Sequence, residues 1–289
     1  MEFSSQDFGS ANYFKTRPTY PAGFLHLLSQ YHKGKRSLLI DVGCGPGNST
    51  LELAKYLGFE QVWGSDVSPG MIETAKTQKE LSNGEFSADN VQFSVHAAED
   101  LDWVAPNAAD MVTAAQCCHW LDFGVFQNAV FRTLRKGGTL AIWGYVDPHF
   151  ADYPELDRVL FNFQYGEDQL GPYWEKPGRV ILRDLLRTQK LDNSRFDDVL
   201  QVEYDPRNPE TQSTLQIPLK VDRQMTVAEF DHYIESWSAY NAWKRTNKAK
   251  TDIRQHFMRK LRTHTGLSSS QSTMNVTWKT IYKFARKKS

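Results

Sequence analysis

The sequence predicts an α/β protein built on a doubly wound, mostly parallel sheet, and three observations predict it. Short apolar runs alternate with segments of helical hydrophobic spacing through the first half of the chain. The first run ends in a cluster of glycines that opens directly into a helix signal, as a ligand loop at the end of a parallel strand does. The second run ends in Asp66, just before Ser68 and Pro69, a helix-start pair.

The elements follow in order. Residues 37–42 (SLLIDV) read as a buried strand, and residues 48–56 place Leu51, Leu53 and Ala54 at helical spacing. Gln61–Asp66 is strand-like, and the helix capped by Ser68 buries Met71, Ile72 and Ala75. Val91–Val95 alternates as a strand, residues 109–114 form an apolar strand, 123–135 a helix, and 138–144 (GTLAIWG) another buried strand. Beyond Tyr145 the pattern changes to prolines and aromatics, which reads as an insertion. Phe196–Tyr204 is a further strand. Residues 226–243 open with a capping box, Thr226 and Glu229, and run Val227, Phe230, Ile234 and Trp237 along one helix face. Ile253, Phe257 and Leu261 mark another helix, residues 263–277 are rich enough in Ser and Thr to read as a loop, and residues 274–284 alternate as a closing strand. The organisation is then an N-terminal cap segment (1–36), a cofactor-binding core (37–146), a lid insertion (147–194), a core strand (195–205), a second helical insertion (206–272), and a closing strand with a basic tail (273–289).

Composition limits the function classes. The chain has 289 residues, with 40% hydrophobic and 24% charged, and no apolar run approaches a bilayer span, which excludes a helical membrane protein and a disordered tail. The start, MEFSSQDFGSANYF, lacks a basic segment followed by an apolar one, so the expectation is a chain that begins here without a secretory signal. Cys44, Cys117 and Cys118 are too few and too clustered for a disulfide framework, which fits a reducing, cytoplasmic setting and makes the sequons at Asn48 and Asn275 incidental. Lys+Arg and Asp+Glu balance at 34 each, yet residues 244–289 hold 13 cations against the single acid Asp252. That skew is open to three readings: a solvated face, a phosphate-binding patch, or a field that concentrates a small anion.

Chemistry concentrates at Asp41-Val-Gly43-Cys44-Gly45-Pro-Gly47. Glycines there let the backbone turn tightly and approach a ligand, and the following helix N-terminus favours an anionic group. The third glycine comes one residue too early for the GxGxxG dinucleotide fingerprint, which disfavours a pyrophosphate cradle and with it an NAD-dependent oxidoreductase. Asp66 is placed to accept hydrogen bonds from ribose hydroxyls, or to help cap the helix at Ser68. The histidines show no metal-ligand spacing, and nothing adjacent to Cys117 and Cys118 activates a thiol.

With the segment Val95-His96-Ala97-Ala98-Glu99-Asp100-Leu101 and the turn Leu134-Arg-Lys-Gly-Gly138, this loop resembles that of the class I S-adenosylmethionine-dependent methyltransferases. The resemblance implies a Rossmann-like fold: a seven-stranded, mostly parallel sheet with helices on both faces, an antiparallel final strand and helical lid insertions. It implies S-adenosyl-L-methionine as cofactor, held by Asp41, Gly43, Cys44, Gly45, Gly47, Asp66, Val67, Met71, Ala97, Ala98, Glu99 and Gln116. An adenine-facing Asp common in the family is replaced by Ala97, and the N/D-P-P-Y segment of nucleic-acid and protein N-methyltransferases is absent at Gln116. Beyond the cofactor half, Arg17-Pro-Thr-Tyr20, Cys118-His119-Trp120, Trp143-Gly-Tyr145, Tyr173-Trp174 through Arg179, and Trp237 through Trp243 resemble the trans-aconitate methyltransferases of yeasts.

That branch implies O-methylation of a carboxylate on a small polycarboxylic acid. A carboxylate is ionised at neutral pH and needs no general base. Arg17 and Arg179 are the candidates to bind the acid, with Tyr13, Tyr20, Trp120, Tyr145, Tyr173, Trp174, Trp237 and Tyr240 as pocket walls. His119 is the catalytic candidate, donating to a substrate oxygen or, on a hydroxyl acceptor, acting as base; a structural histidine is the bland alternative. The partner is then a small anionic acid, with no nucleic acid and no membrane expected. A polyanion-binding protein using the basic C-terminal region is the rival of a different class. Oligomeric state stays open, a monomer included.

Overall fold

The computed structural model describes residues 16–82, 90–209, 216–248 and 251–288. Among them, β1 (Leu38–Val42), β2 (Gln61–Asp66), β3 (Val91–Val95), β4 (Ala109–Ala115) and β5 (Leu134–Phe150) pair in parallel. β8 (Thr273–Lys287) runs antiparallel to β5, and β6 (Phe196–Tyr204) runs antiparallel to β8. The strand order is β3-β2-β1-β4-β5-β8-β6. It reverses direction between β1 and β4, and ligands of such sheets bind outside the carboxyl ends of the strands at that point. β1 and β4 are apolar because both faces are covered.

The sheet has an eighth strand where seven were expected. β7 (Val221–Thr226, VDRQMT) lies inside the segment read as purely helical, and buries Val221 and Met225 in alternation with exposed Asp222 and Gln224. β8 serves both strands along one edge: β7 pairs Thr273 to Trp278, and β6 pairs Thr280 to Lys287. β5 is also longer than its apolar run. It continues through Pro148, which the sheet accommodates with a register shift between Tyr145 and Pro148.

Helices α1 (Ala22–Tyr31), α2 (Asn48–Leu57), α3 (Pro69–Leu81) and α4 (Phe123–Thr133) cover the core sheet. Ser68 caps α3 by accepting from the Met71 amide at 3.3 Å, with Pro69 in the first turn. The lid insertion supplies α5 (Asp157–Tyr165) and the short α6 (Gly178–Arg183). The helix expected over 226–243 is two: α7 (Val227–Glu235), opened by the Thr226/Glu229 capping box, and α8 (Ser238–Thr246). They part where Ser236 Oγ donates to the Tyr233 carbonyl at 2.6 Å and Trp237 takes an extended backbone. α9 (Ile253–Thr265) follows. Among the described residues no helix is long and apolar enough to cross a membrane.

Among the described C-terminal cations, Lys279, Lys283, Lys287, Arg254 and Arg286 are committed within the fold, while Lys244, Lys248, Arg259 and Lys260 are exposed on and beside α8 and α9. Lys283 Nζ donates to the Leu186 and Gln189 carbonyls at 2.8 and 2.7 Å, and Lys287 Nζ to Leu134 O at 2.8 Å. Lys279 pairs with Asp205 at 2.7 Å, Arg254 with Glu235 at 2.7 Å, and Arg286 with Asp198.

Candidate active site

The loop after β1 is shaped by three left-handed glycines, Gly43, Gly45 and Gly47, with φ of 58, 55 and 93°. A Cβ at Gly43 would lie 2.6 Å from that of Cys117, so the loop and the end of β4 close to a distance only glycine permits. Cys44 N donates to Ser65 O at 2.9 Å, and Gly45 N to Asp66 Oδ2 at 2.9 Å, which ties the loop to the end of β2. Behind it Asp41 is fully buried, accepting from Thr50 at 2.7 Å and Thr113 at 2.6 Å. Burial pushes its carboxyl up to about 6, against the pull of the two hydroxyls.

A cleft of about 1240 Å³, counting its open mouth, lies over the switch point. Gly43, Gly45, Asp66, Val67, Met71, Ala98, Glu99 and Gln116 line its sheet end. Asp41, Cys44, Gly47 and Ala97 do not. Asp41 is the internal brace of the loop, Cys44 is turned into the core with its thiol raised by burial, and Gly47 packs against Ala75 and Phe93. Asp66 Oδ1 accepts from Ser68 N at 2.9 Å, so it does cap the next turn. Each carboxylate oxygen keeps a further lone pair, so capping leaves acceptor capacity for a ligand hydroxyl. Burial raises its pKa, opposed by these two N–H donors.

Ser68, His96, Cys117 and Leu121 also line this end, none of them expected from the sequence. His96 stacks on Trp103, centroids 4.6 Å apart and planes within 15°, and Trp103 stacks on Trp63. The signal was the aromatic residues flanking the VHAAED segment. Gln116, at φ 58°, uses its amide as a clamp: Oε1 accepts from Tyr145 N at 2.7 Å and Nε2 donates to Tyr145 O at 2.8 Å. It therefore presents its aliphatic part and backbone to a ligand.

The other end carries the acceptor candidates. His119 sits in a single 3-10 turn, Cys118–Trp120, after β4. It is 6% exposed, lines the cleft, and its imidazole hydrogen-bonds to no described residue. Burial, then the charges of Arg179 and Arg17, push its pKa down to about 3. Arg179 Nε donates to Tyr165 Oη at 2.9 Å and Nη2 to Asp147 Oδ1 at 2.6 Å, while its plane covers Trp174 at 4.0 Å. Arg17 Nη2 donates to Ser236 O at 2.8 Å with its guanidinium 5.5 Å from the Tyr233 ring centre. Trp120, Tyr145, Trp174 and Trp237 complete the wall. The lid meets it at Gly178, where a Cβ would fall 2.4 Å from the Trp120 ring.

Three expected wall residues lie elsewhere. Tyr20 packs edge-on against Trp143 at 5.6 Å, Tyr173 accepts from Asn247 Nδ2 at 3.0 Å outside the cleft, and Tyr240 is core, donating to Asp252 at 2.7 Å. Tyr13 lies outside the described residues. The three cysteines are buried and unpaired, with Cys118 pushed up to about 12 by burial. No His/Cys/Asp/Glu cluster of metal-binding geometry occurs among the described residues.

A doubly wound sheet with a glycine loop and a ribose-ready carboxylate at its switch point defines an enzyme that uses a nucleoside cofactor. The family described as methyltransferase domain matches residues 40–142. A probable S-adenosylmethionine-dependent methyltransferase of Saccharomyces cerevisiae, CRG1, is 30% identical over 290 residues, covering 99% of this chain and 98% of its own. A putative methyltransferase of Dictyostelium discoideum is 30% identical over 81% of this chain and 76% of its own. A putative type II methyltransferase structure from Anaeromyxobacter dehalogenans superposes with a TM-score of 0.70 at 26% identity, covering 93% of this chain and 97% of that one. The chain belongs to the S-adenosylmethionine-dependent methyltransferases. Its cofactor is S-adenosylmethionine, and the site fits it: the loop approach at Gly43 that a Cβ would fill, the spare acceptor capacity of Asp66, and the apolar surface of Met71, Ala98 and Leu121.

Proposed function

We propose that this methyltransferase forms a methyl ester on a carboxylate of a small polycarboxylic acid of the trans-aconitate kind. The observation that carries the reading is the pair Arg17 and Arg179 at the acceptor end, whose charges both bear on a buried, neutral His119. Guanidinium forks bind carboxylates with directed bonds, and in a cleft shielded by Trp120, Trp174 and Trp237 those bonds gain strength from the low dielectric. Asp147 and Tyr165 hold Arg179 in place from behind, leaving Nη1 without a partner among the described residues.

When bound, S-adenosylmethionine would supply an electrophilic methyl group for a carboxylate oxygen, with S-adenosylhomocysteine as the leaving group. The chain's task is to hold the acid in line and exclude water, which the lid residues on α5 and α6 and the Arg17 segment accomplish by position. No proton has to be removed from a carboxylate. A hydroxyl acceptor would need a base, and His119, with its pKa near 3, is a poor one at neutral pH. His119 instead offers one N–H to a substrate oxygen. The unpaired cysteines support a cytoplasmic setting.

The test is incubation with methyl-labelled S-adenosylmethionine and a panel of di- and tricarboxylic acids, trans-aconitate included, with detection of base-labile methyl esters by mass spectrometry. Transfer to an acid is expected. Cofactor binding without transfer to any acid refutes the reading.

A further inference from the structure

Two buried polar side chains face the acceptor end of the cleft without an assigned role. Gln164, on α5, is 2% exposed and lines the cleft. Its backbone carbonyl accepts from the Trp174 indole at 2.7 Å, but its side-chain amide hydrogen-bonds to no described residue. Burying an amide without a partner is costly, so such a group facing a cleft marks where a ligand's polar atoms go.

Tyr233, on α7, carries a stricter constraint. Its phenol oxygen accepts from Trp278 Nε1 at 3.0 Å, and its ring meets that of Trp237 edge-on at 5.5 Å. A phenol has limited acceptor capacity and a single proton. With the Trp278 indole donating to the oxygen, the hydroxyl keeps its single proton to donate, and no described residue accepts it. Tyr233 is 2% exposed and lines the cleft, so the donation runs into the ligand space. The Trp278 bond thereby orients the Tyr233 hydroxyl, and burial holds its proton on by raising its pKa.

We propose that Gln164 and Tyr233 are binding residues of the acceptor site, donating Nε2–H and Oη–H bonds to carboxylate oxygens of the acid. The inference rests on the carboxylic-acid reading above and extends it. Arg17 and Arg179 supply the charge, and these two neutral donors supply the directions that separate one acid from another. An ammonium group would meet fixed donors at Tyr233, Arg17 and Arg179, a mismatch that disfavours amine acceptors.

The experiment is calorimetric titration of trans-aconitate, and of the same di- and tricarboxylate panel, into the full chain saturated with S-adenosylhomocysteine. It uses wild type, Gln164→Leu and Tyr233→Phe. Each variant is expected to weaken the best acid by about tenfold or more, the scale of a hydrogen bond to a charged group. S-adenosylhomocysteine affinity should stay within about twofold. Tyr233→Phe leaves the Trp278 indole N–H without an acceptor and should also melt earlier. Gln164→Leu breaks no protein hydrogen bond, so its melting temperature should hold while acid affinity falls, a split that a purely structural role does not produce. Wild-type acid affinity in both variants overturns the assignment and leaves the carboxylic-acid reading standing. Failure of the wild-type protein to bind any acid of the panel overturns both.

Discussion

The neutrality of His119 has a measurable thermodynamic consequence. An imidazole in the unfolded chain titrates near 6.5, whereas in the fold burial and two guanidinium groups hold it at about 3. The folded state disfavours the charged form, so the stability this residue permits is complete above the unfolded pKa and is lost as pH falls below it. Between about pH 8 and about pH 5 the loss amounts to about 2 kcal/mol from this residue alone. Other groups titrate in the same window. Asp41, raised to about 6, works in the opposite sense, since lowering the pH lets a buried carboxyl take the proton its site favours. A comparison with His119→Gln, which cannot titrate, cancels those shared terms. Urea unfolding of both proteins near pH 8 and near pH 5 should show the stability gap moving by about 2 kcal/mol in favour of the variant at the lower pH. A movement below about 0.5 kcal/mol would mean that the imidazole charges freely in the fold, and the hydroxyl-acceptor chemistry would regain its base.

Gly43 and Gly45 share a left-handed backbone, which costs any other residue about 1–2 kcal/mol, but only at Gly43 does a Cβ collide with Cys117. Gly45→Ala should therefore lose about that much, while Gly43→Ala loses more and forfeits cofactor binding; equal thermal melts refute the distinction. Asp66→Asn replaces an oxygen that accepts from Gly45 or Ser68 with an amide donor, and should weaken S-adenosylmethionine at least about tenfold in calorimetry. Unchanged cofactor affinity would remove Asp66 from the site. Lys283→Met leaves the Leu186 and Gln189 carbonyls without their buried ammonium and should cost about 2–4 kcal/mol in denaturant unfolding; a cost under about 1 kcal/mol would show that the pin is dispensable.

The cofactor half was legible in the sequence because its signals are local. Gln61–Asp66 and Val91–Val95 have the bounds their alternation indicates, and the glycine loop and Asp66 meet as their spacing requires. The acceptor half was less legible because its geometry comes from packing. β7 presents only Val221 and Met225 to the core, too few to stand out among Asp222, Arg223 and Gln224. α7 and α8 share one hydrophobic face across a break that only the Ser236 hydrogen bond reveals. Tyr233 and Tyr240 are indistinguishable as helical aromatics, yet one faces the cleft and the other is bonded to Asp252 within the core. Gln164 gave no signal at all, since an unsatisfied amide is visible only once its neighbours are in place. The basic skew of residues 244–289 was not resolvable in the sequence for the same reason, because the acceptors of Lys283 and Lys287 are backbone carbonyls distant in sequence.

β8 touches β5, β6 and β7, and each partner lies far from it along the chain: Tyr145 meets Thr280, Tyr204 meets the same Thr280, and Val221 meets Trp278. In the parallel half β1–β2, β2–β3 and β4–β5 close short loops, while β1 and β4 meet across the switch point through a longer one, Leu39 opposite Met111. The acceptor half has no such ladder and is zipped by one strand of low locality, the kind of pairing that forms late because loop closure precedes any reward. β6 is an edge strand and β7 is paired on β8 alone, so amide exchange should see them open ahead of β1 and β4. An opening of that kind would loosen the acceptor end of the cleft while the glycine loop keeps its shape, so local unfolding of the sheet's far edge is a route by which the two ends of the cleft lose their coupling.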